Sequence, residues 1–469
     1  MRSIEKQVSG IKKILDIWFL IALMLGTILF VFIVTTRLSH ANEIEGLLNK
    51  LVEKGILTPA EAQAVLVETR EEERKKIAEV KHDILPEWVQ KTKVTGDFRL
   101  REAYNDTDGK DPRWRTRLRL RLGAEFKVND QFKVGAGIAS GTWTGAAGAT
   151  GPEIDNQRST NSTMEGLFSH KPITLDVAYG QYTPTNWLTV MGGKFRNPLF
   201  LIGGDDLVWD PDITPEGGAA QFNYKFCDQF GLFMNAGFFI LDEFNDSVPS
   251  QHSTSGKDPS MVIVQPGFEW KIKNADYADI ANLKAAVAWY EYNHVKGQHF
   301  QFASAKSGTG KTNTLDANGN FVYEYNSWQP TVQLGFMPQD FVVPYLGVFG
   351  QYVYNPDPSK DNTGWQLGGL FGAEKVQEKG QWQGRFMYRF IERDASPDFL
   401  PDDDFYSGFT NAKGWKEVFT YGIGKNTNIS LTGFQTGMIR TIGTGKSSKT
   451  TLLGGLNEKV FFMDWNLAF

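Results

Sequence analysis

The chain has 469 residues, 41% hydrophobic and 22% charged, with a formal net charge of −5 at pH 7. That length suits one large domain or two, and the lack of basic excess gives no electrostatic footprint for nucleic acid. A single cysteine, Cys227, excludes an intrachain disulfide, a cysteine-rich metal site and a CxxCH haem attachment.

Arg2, Lys6, Lys12 and Lys13 make a basic start ahead of an apolar run from Ile17 to Thr36. Ser39 and Ala41 then occupy the small-residue positions of a cleavage site, which predicts an export signal over 1–41. The run is also long enough to span a bilayer, so a retained anchor is the rival reading. Residues 42–90 read as helix. Ile44, Leu47, Leu48, Leu51 and Ile56 recur at helical spacing, and Thr58 to Glu61 form a capping box with Pro59 at the first helical position. The charge run that follows reads as a solvated face or a short coiled coil, and the expected segment is periplasmic.

From residue 93 the period changes to two. Over 114–128, Trp114, Thr116, Leu118, Leu120, Leu122, Ala124, Phe126 and Val128 point one way, while Arg115, Arg117, Arg119, Arg121, Glu125 and Lys127 point the other. A helix would scatter those charges around its circumference; a strand gives one apolar and one charged face. Similar segments lie near 93–106, 114–128, 131–141, 173–184, 187–198, 217–226, 229–244, 260–272, 281–295, 321–337, 341–356, 364–377, 380–397, 414–426, 427–439 and 458–469. Many exceed the usual globular strand and match the roughly 9–11 residues that cross a bilayer when tilted.

The links between segments alternate in length. Short ones include Asn129–Asp130, Thr185–Asn186, Cys227–Asp228, Pro338–Asp340 and Glu378–Lys379, while 142–172, 199–216, 245–259, 296–320, 398–413 and 440–457 are long, polar and glycine-rich. An even strand count with short turns at one end and long loops at the other predicts a transmembrane antiparallel β-barrel of about 16 strands over 91–469. Aromatic residues gather at strand ends, as girdles at the two interfaces require. The terminal "VFFMDWNLAF" places Trp465 and Phe469 on one face, an expected assembly signal read by the barrel-assembly machinery.

Two stretches, "GTGKT" at 308–312 and "GTGKS" at 443–447, imitate the end of a nucleotide-binding loop. The required glycine five residues upstream is Ala305 in the first and Arg440 in the second, and neither run leads into a helical pattern, so no nucleotide is expected. No G-x-S-x-G or H-E-x-x-H motif occurs, no cofactor is implied, and an enzyme is not expected. His170 with Asp176 is the basis of an alternative hydrolase reading; a structural barrel or sheath without transport is another. Function is expected on the inward face instead. Arg99, Arg101, Arg115, Arg117, Arg119 and Arg121 form a ladder on two neighbouring strands, joined by Arg385, Arg389 and Arg393 on another. The loop "LFLIGGDDLVWDPDITPEGG" carries Asp205, Asp206, Asp210, Asp212 and Glu216 among apolar residues that an exposed loop would not need. It is expected to fold into the lumen as a constriction whose acids face the arginines. Calcium at the Asp cluster is the rival, without EF-hand spacing.

"VTGDFRLRE", "RTRLRLRLG", "GGKFRNP", "DLVWDPDITPEGGAAQF", "PDDDF" and the closing "DWNLAF" appear in this order over 93–469. Together they resemble the putative-porin family of Gram-negative outer membranes, distantly similar to phosphate-selective porins. The resemblance implies a sixteen-stranded outer-membrane barrel, a homotrimer in lipid, passing small hydrophilic solutes or anions by passive diffusion. It carries over no particular solute.

Overall fold

The computed structural model describes residues 50, 54, 58, 65, 90–141, 157–243, 257–275, 278–298, 312–339, 341–440 and 457–469. The expected signal over 1–41, all but five residues of the expected helical segment over 42–90, and both nucleotide-like stretches apart from Thr312 lie outside them. Among the described residues no helix is long and apolar enough to cross a membrane.

The strands are β1 (Thr92–Thr107), β2 (Arg113–Lys127), β3 (Phe132–Ser140), β4 (Ser162–Thr163), β5 (Ile173–Thr185), β6 (Leu188–Lys194), β7 (Glu216–Lys225), β8 (Phe230–Ile240), β9 (Ser260–Lys273), β10 (Asp279–Asn293), β11 (Trp328–Phe336), β12 (Tyr345–Tyr354), β13 (Thr363–Gly372), β14 (Trp382–Ile391), β15 (Ala412–Gly424), β16 (Thr427–Met438) and β17 (Glu458–Ala468). Each pairs antiparallel with the next, β3 passes over to β5, and β17 returns to β1, so the sheet closes. Setting aside the two-residue β4, the wall has the sixteen strands that alternation predicts. β4 pairs with Arg117 and Leu118 of β2, above the point where β3 ends.

The alternation explains the wall directly. Leu118 of β2 pairs with Leu100 of β1, and Leu122 with Ile138 of β3, all on the outer face. Leu367, Val348 and Ile240 stand 62%, 53% and 53% exposed to the surroundings of the barrel. A soluble protein would bury such a belt. β1, at 16 residues and about 3.3 Å per residue, is long enough to cross the roughly 25 Å apolar band even when tilted.

Several predicted boundaries differ, among them the expected link Pro338–Asp340, since β11 ends at Phe336 and β12 begins at Tyr345. The segment expected at 380–397 leaves the wall after Ile391, because the chain there turns inward. The segment expected from 321 starts at Trp328, since residues 321–327 are irregular apart from the bridge Leu315–Phe321. The expected two-residue link at Glu378–Lys379 is a longer turn, because β13 already ends at Gly372. Where β6 and β7 give way to the loop between them, Gly193 and Gly217 are Cα partners with φ of 121° and 143°. A side chain there would run into the carbonyl oxygens of Ala178 and Phe238, so glycine alone fits.

Candidate functional site in the barrel lumen

The 195–215 loop folds inward, as its apolar residues require. Leu199, Ile202, Leu207, Val208, Trp209 and Ile213 are all buried, in one cluster with Phe239, Ile263, Tyr290, Phe349 and Met387 from the inner wall. Trp209 is 1% exposed. Its Nε1–H donates to the Tyr290 hydroxyl at 3.2 Å, and its ring meets Phe239 edge-on at 6.4 Å.

Polar groups fix the loop's height. The Asp206 carboxylate accepts from the Gln351 side-chain amide at 2.6 Å and from that of Gln329 at 3.3 Å. It also accepts from the backbone amides of Val208 and Trp209 at 3.0 and 3.1 Å, which tightens the turn. Gln351 Oε1 accepts from Leu207 N at 2.9 Å, and Gln366 donates to the Asp205 carbonyl. Asp205 is ion-paired with Arg385 at 2.5 Å and Lys416 at 2.6 Å. Burial alone would raise its carboxyl, but Lys416 and Arg385 outweigh it and hold the group below its usual value. Arg389 donates to the Asp206 carbonyl at 2.7 Å and to Gln366 at 3.0 Å. Arg385 and Arg389 therefore hold the loop instead of facing an open lumen. Arg393 lies past the end of β14 and donates to the Thr312 carbonyl at 2.7 Å.

The 392–411 loop also enters, with Phe399, Leu400, Phe405 and Phe409 buried in the same cluster. Arg158, 1% exposed, donates to the carbonyls of Asp398, Pro401 and Gly408 at 3.1, 3.1 and 2.8 Å. The two loops are joined to each other. Asp210 N donates to the Leu400 carbonyl at 2.7 Å, and Asp403 N donates to Asp210 Oδ2 at 2.9 Å.

The opposite wall carries the arginine ladder. Across β1 and β2, Asp97 pairs with Arg121, Arg99 with Arg119 and Arg101 with Arg117. Like charges side by side need compensation, and only some receive it. Asp97 pairs with Arg119 at 2.8 Å and Arg121 at 2.7 Å. Asp212 of the inward loop lies 3.2 Å from Arg121 and 3.7 Å from Arg119. Burial would raise the Asp212 carboxyl, yet Arg119, Arg121 and Arg99 hold it low. Arg101 pairs with Asp464 and Asp404, both at 2.7 Å.

Among the described residues, Arg99, Arg115 and Arg117 have only neutral partners. Arg99 donates to Asn161 Oδ1 at 2.6 Å and Arg115 to Asn105 Oδ1 at 3.0 Å. Arg117, 8% exposed, reaches Ser159 Oγ at 3.3 Å and the Asn161 carbonyl at 3.4 Å. Each keeps a buried Nε–H without an acceptor among the described residues. Asp403 and Asp404 act on Arg115 and Arg117 only at longer range.

The remaining expected residues sit apart. Glu216 heads β7 and pairs with Lys194 at 2.8 Å. Trp465 meets Phe98 edge-on at 6.4 Å, and Phe469 N donates to the Gly96 carbonyl at 3.0 Å. Asp176, half of the alternative hydrolase pair, is ion-paired with Arg196 at 2.5 Å. Sequence reasoning missed Lys416 and the row Gln329, Gln351 and Gln366. Their signal was inward parity on β15 and on β11 to β13.

The family described as putative porin matches residues 102–333 and 332–443 of the chain. No curated protein matches the sequence. Among solved structures, the chain is similar to the high-pH structure of OprB from Pseudomonas putida, at 13% identity and a TM-score of 0.47, over 82% of this chain and 96% of that one. A triple mutant of the Rhodopseudomonas blastica porin aligns at 12% identity and a TM-score of 0.40, over 81% of this chain and all of that one. The trimer form of OmpT, an outer membrane protein of Vibrio cholerae, aligns at 11% identity and a TM-score of 0.40, over 80% and 99%.

Proposed function

The chain belongs to the putative porin family, and on that premise we propose that it is a non-enzymatic outer-membrane pore. Small hydrophilic solutes diffuse passively through it with a bias for anions. The observation that carries this reading is the trio Arg99, Arg115 and Arg117, which line one wall with neutral partners and unfilled Nε–H donors. Guanidinium groups in a narrow lumen with low-dielectric walls concentrate anions and, being weakly hydrated, let them pass. Discrimination is by size and field, with no bond made or broken. The acids that face the arginines, Asp97, Asp212, Asp404 and Asp464, trim the excess charge without cancelling it.

The working unit is a homotrimer, reached by export through the periplasm. One patch of the outer face supports it. Gly180 pairs with Gly192, and Gly192 with Gly218. A Cβ at Gly180 would meet nothing within 4 Å, and at Gly192 and Gly218 only a backbone oxygen at 3.9 and 3.8 Å. The chain's own packing does not call for glycine at these positions, and strand glycine costs roughly 0.5–1 kcal/mol relative to alanine. A neighbouring copy lying close against the patch accounts for it.

The test is ion flow through the refolded chain in a planar bilayer under a KCl gradient. Stepwise conductance with a reversal potential of anion sign is expected. A folded barrel that passes no ions would move the weight to a structural barrel.

A further inference from the structure

A hollow of about 590 Å³ lies in the wall across β9 to β13. Of the residues around it, Val287, Tyr352 and Trp365 alternate outward and are exposed, while Thr331, Gln351 and Gln366 between them are buried, so it opens on the outer face. Its size falls within the range of small-molecule sites, about 300–1,000 Å³. We propose that it is a seat for one acyl chain of a bilayer phospholipid, held more firmly than the lipid around the rest of the wall. Such a seat needs the barrel in its membrane but not ion flow through it.

The hollow has a cause in the sequence. Val287 of β10 pairs with Pro330 of β11, and Tyr352 of β12 with Trp365 of β13, in one outward row that begins at Pro266 of β9. A proline has no N–H to give the ladder. β9 and β10 pair at Gly267–Ala286 and next at Val264–Trp289; β11 and β12 pair at Thr331–Gln351 and next at Trp328–Tyr354. Each ladder skips two positions, and each skip contains one of the two prolines. In the adjoining row, where Ala285 pairs with Val332 and Val332 with Gly350, the side chains are small or missing. A Cβ at Gly350 would meet only the Gln366 carbonyl oxygen and Leu367 Cδ1, both at 3.8 Å, so the wall's own packing does not require glycine there. A strand glycine that its own chain does not need marks a place where another molecule comes close.

Depth and shape say which molecule. The next row toward the long loops is aromatic: Trp328 pairs with Trp289 and Tyr354, and the two indole rings lie 6.3 Å apart. Trp328 and Tyr354 end β11 and β12 on that side, where an interfacial girdle belongs. In the other direction Leu283, Leu334 and Val348 continue the apolar belt. The hollow therefore lies just inside the hydrocarbon band, continuous with the belt that lipid covers. A lipid chain seated there gains no hydrophobic energy over bulk lipid. It gains dispersion contacts on several sides, which a flat belt does not offer, and a flexible chain fills a space that a rigid neighbour would leave void. A second copy is the rival occupant, but the glycine patch that suits a neighbouring copy is on β5 to β7, apart from β9 to β13.

Photolabelling tests this, on the full chain refolded into phosphatidylcholine vesicles that carry a trace of phosphatidylcholine with a diazirine midway along one acyl chain. After illumination, labelled peptides are mapped by mass spectrometry. Peptides of β10 to β12 should carry at least about threefold more label than those of β14 to β16. Gly350→Phe, or Gly350→Leu should the first fail to fold, fills the hollow and should bring the two regions level. Leu431→Phe, on the outer face of β16, should leave the excess in place. Label spread evenly round the unaltered wall overturns the seat, as does an excess that survives both Gly350 substitutions. Gly350→Cys in a Cys227→Ser background addresses the rival occupant: cross-linking between copies of that variant overturns the seat, and its absence alongside the label upholds it. A barrel that shows the label but passes no ions keeps the seat and sinks the porin reading; conduction with even labelling does the reverse.

Discussion

On the inner faces of β8 to β14 the wall presents Phe239, Ile263, Tyr290, Phe349 and Met387 to loops that meet it with Leu207, Trp209 and Phe405. On β17, β1 and β2 the same barrel, built on the same alternation, presents Asp464 and the ladder from Arg99 to Arg121. The outer faces of the two regions are alike in their apolar belts; only the inward set differs. The first region behaves as a protein core that happens to lie inside a barrel. The second stays polar and partly accessible. One alternating wall thus carries a packed core on one side and a row of charges on the other.

That contrast can be broken most severely from the packed side. Trp209→Ala removes a fully buried ring and its hydrogen bond, at a cost of about 3–5 kcal/mol to the loop's anchoring. The loop should leave the wall, giving larger and noisier unitary conductance while the barrel still migrates as folded on a gel. Asp205→Asn comes next. It leaves Arg385 and Lys416 buried without their carboxylate, a loss of about 3 kcal/mol, and loop-specific hydrogen exchange should report it without a change in the wall. On the charged side, Arg117→Gln should lower the anion-to-cation permeability ratio about two- to threefold at low salt, read from the reversal potential. Asn161→Asp, which places a carboxylate beside Arg99, should lower it by a similar factor without removing any arginine. The smallest effect is that of salt itself. Raising KCl from 0.1 to 1 M shortens the screening length from about 10 to about 3 Å, so the anion bias should fade in the unaltered chain.

Much of this was legible in the residue order. Period two over 114–128 located β2, and the apolar residues between the acids of the 195–215 loop announced that it folds inward. What could not be read was pairing across long separations. Asp205 meets Arg385 and Lys416, each about two hundred residues away, and nothing local to "GGDDLVW" distinguishes those cations from Arg117. For the same reason the nine arginines looked alike. The structure divides them into Arg385 and Arg389 that hold a loop, Arg393 outside the wall, Arg101, Arg119 and Arg121 with carboxylate partners, and three with none among the described residues. The overrun of β14 to residue 397 has a physical cause too. Alternation continues through Arg393, but Asp394 turns to Thr314 and Tyr325, and the chain leaves the sheet.

The closure of the sheet has a consequence for how the molecule is made. Every ladder of the wall except one joins strands that follow each other along the chain; the exception is β17 to β1, sealed inside by Arg101 and Asp464. Hairpins can zip in sequence at little cost in chain entropy, whereas this last seam must gather ends more than 350 positions apart. Until it forms, β1 and β17 each offer an unpaired edge, which a hydrocarbon environment does not tolerate. Closure therefore waits on β17. Removing β17 would not trim the barrel but leave it open.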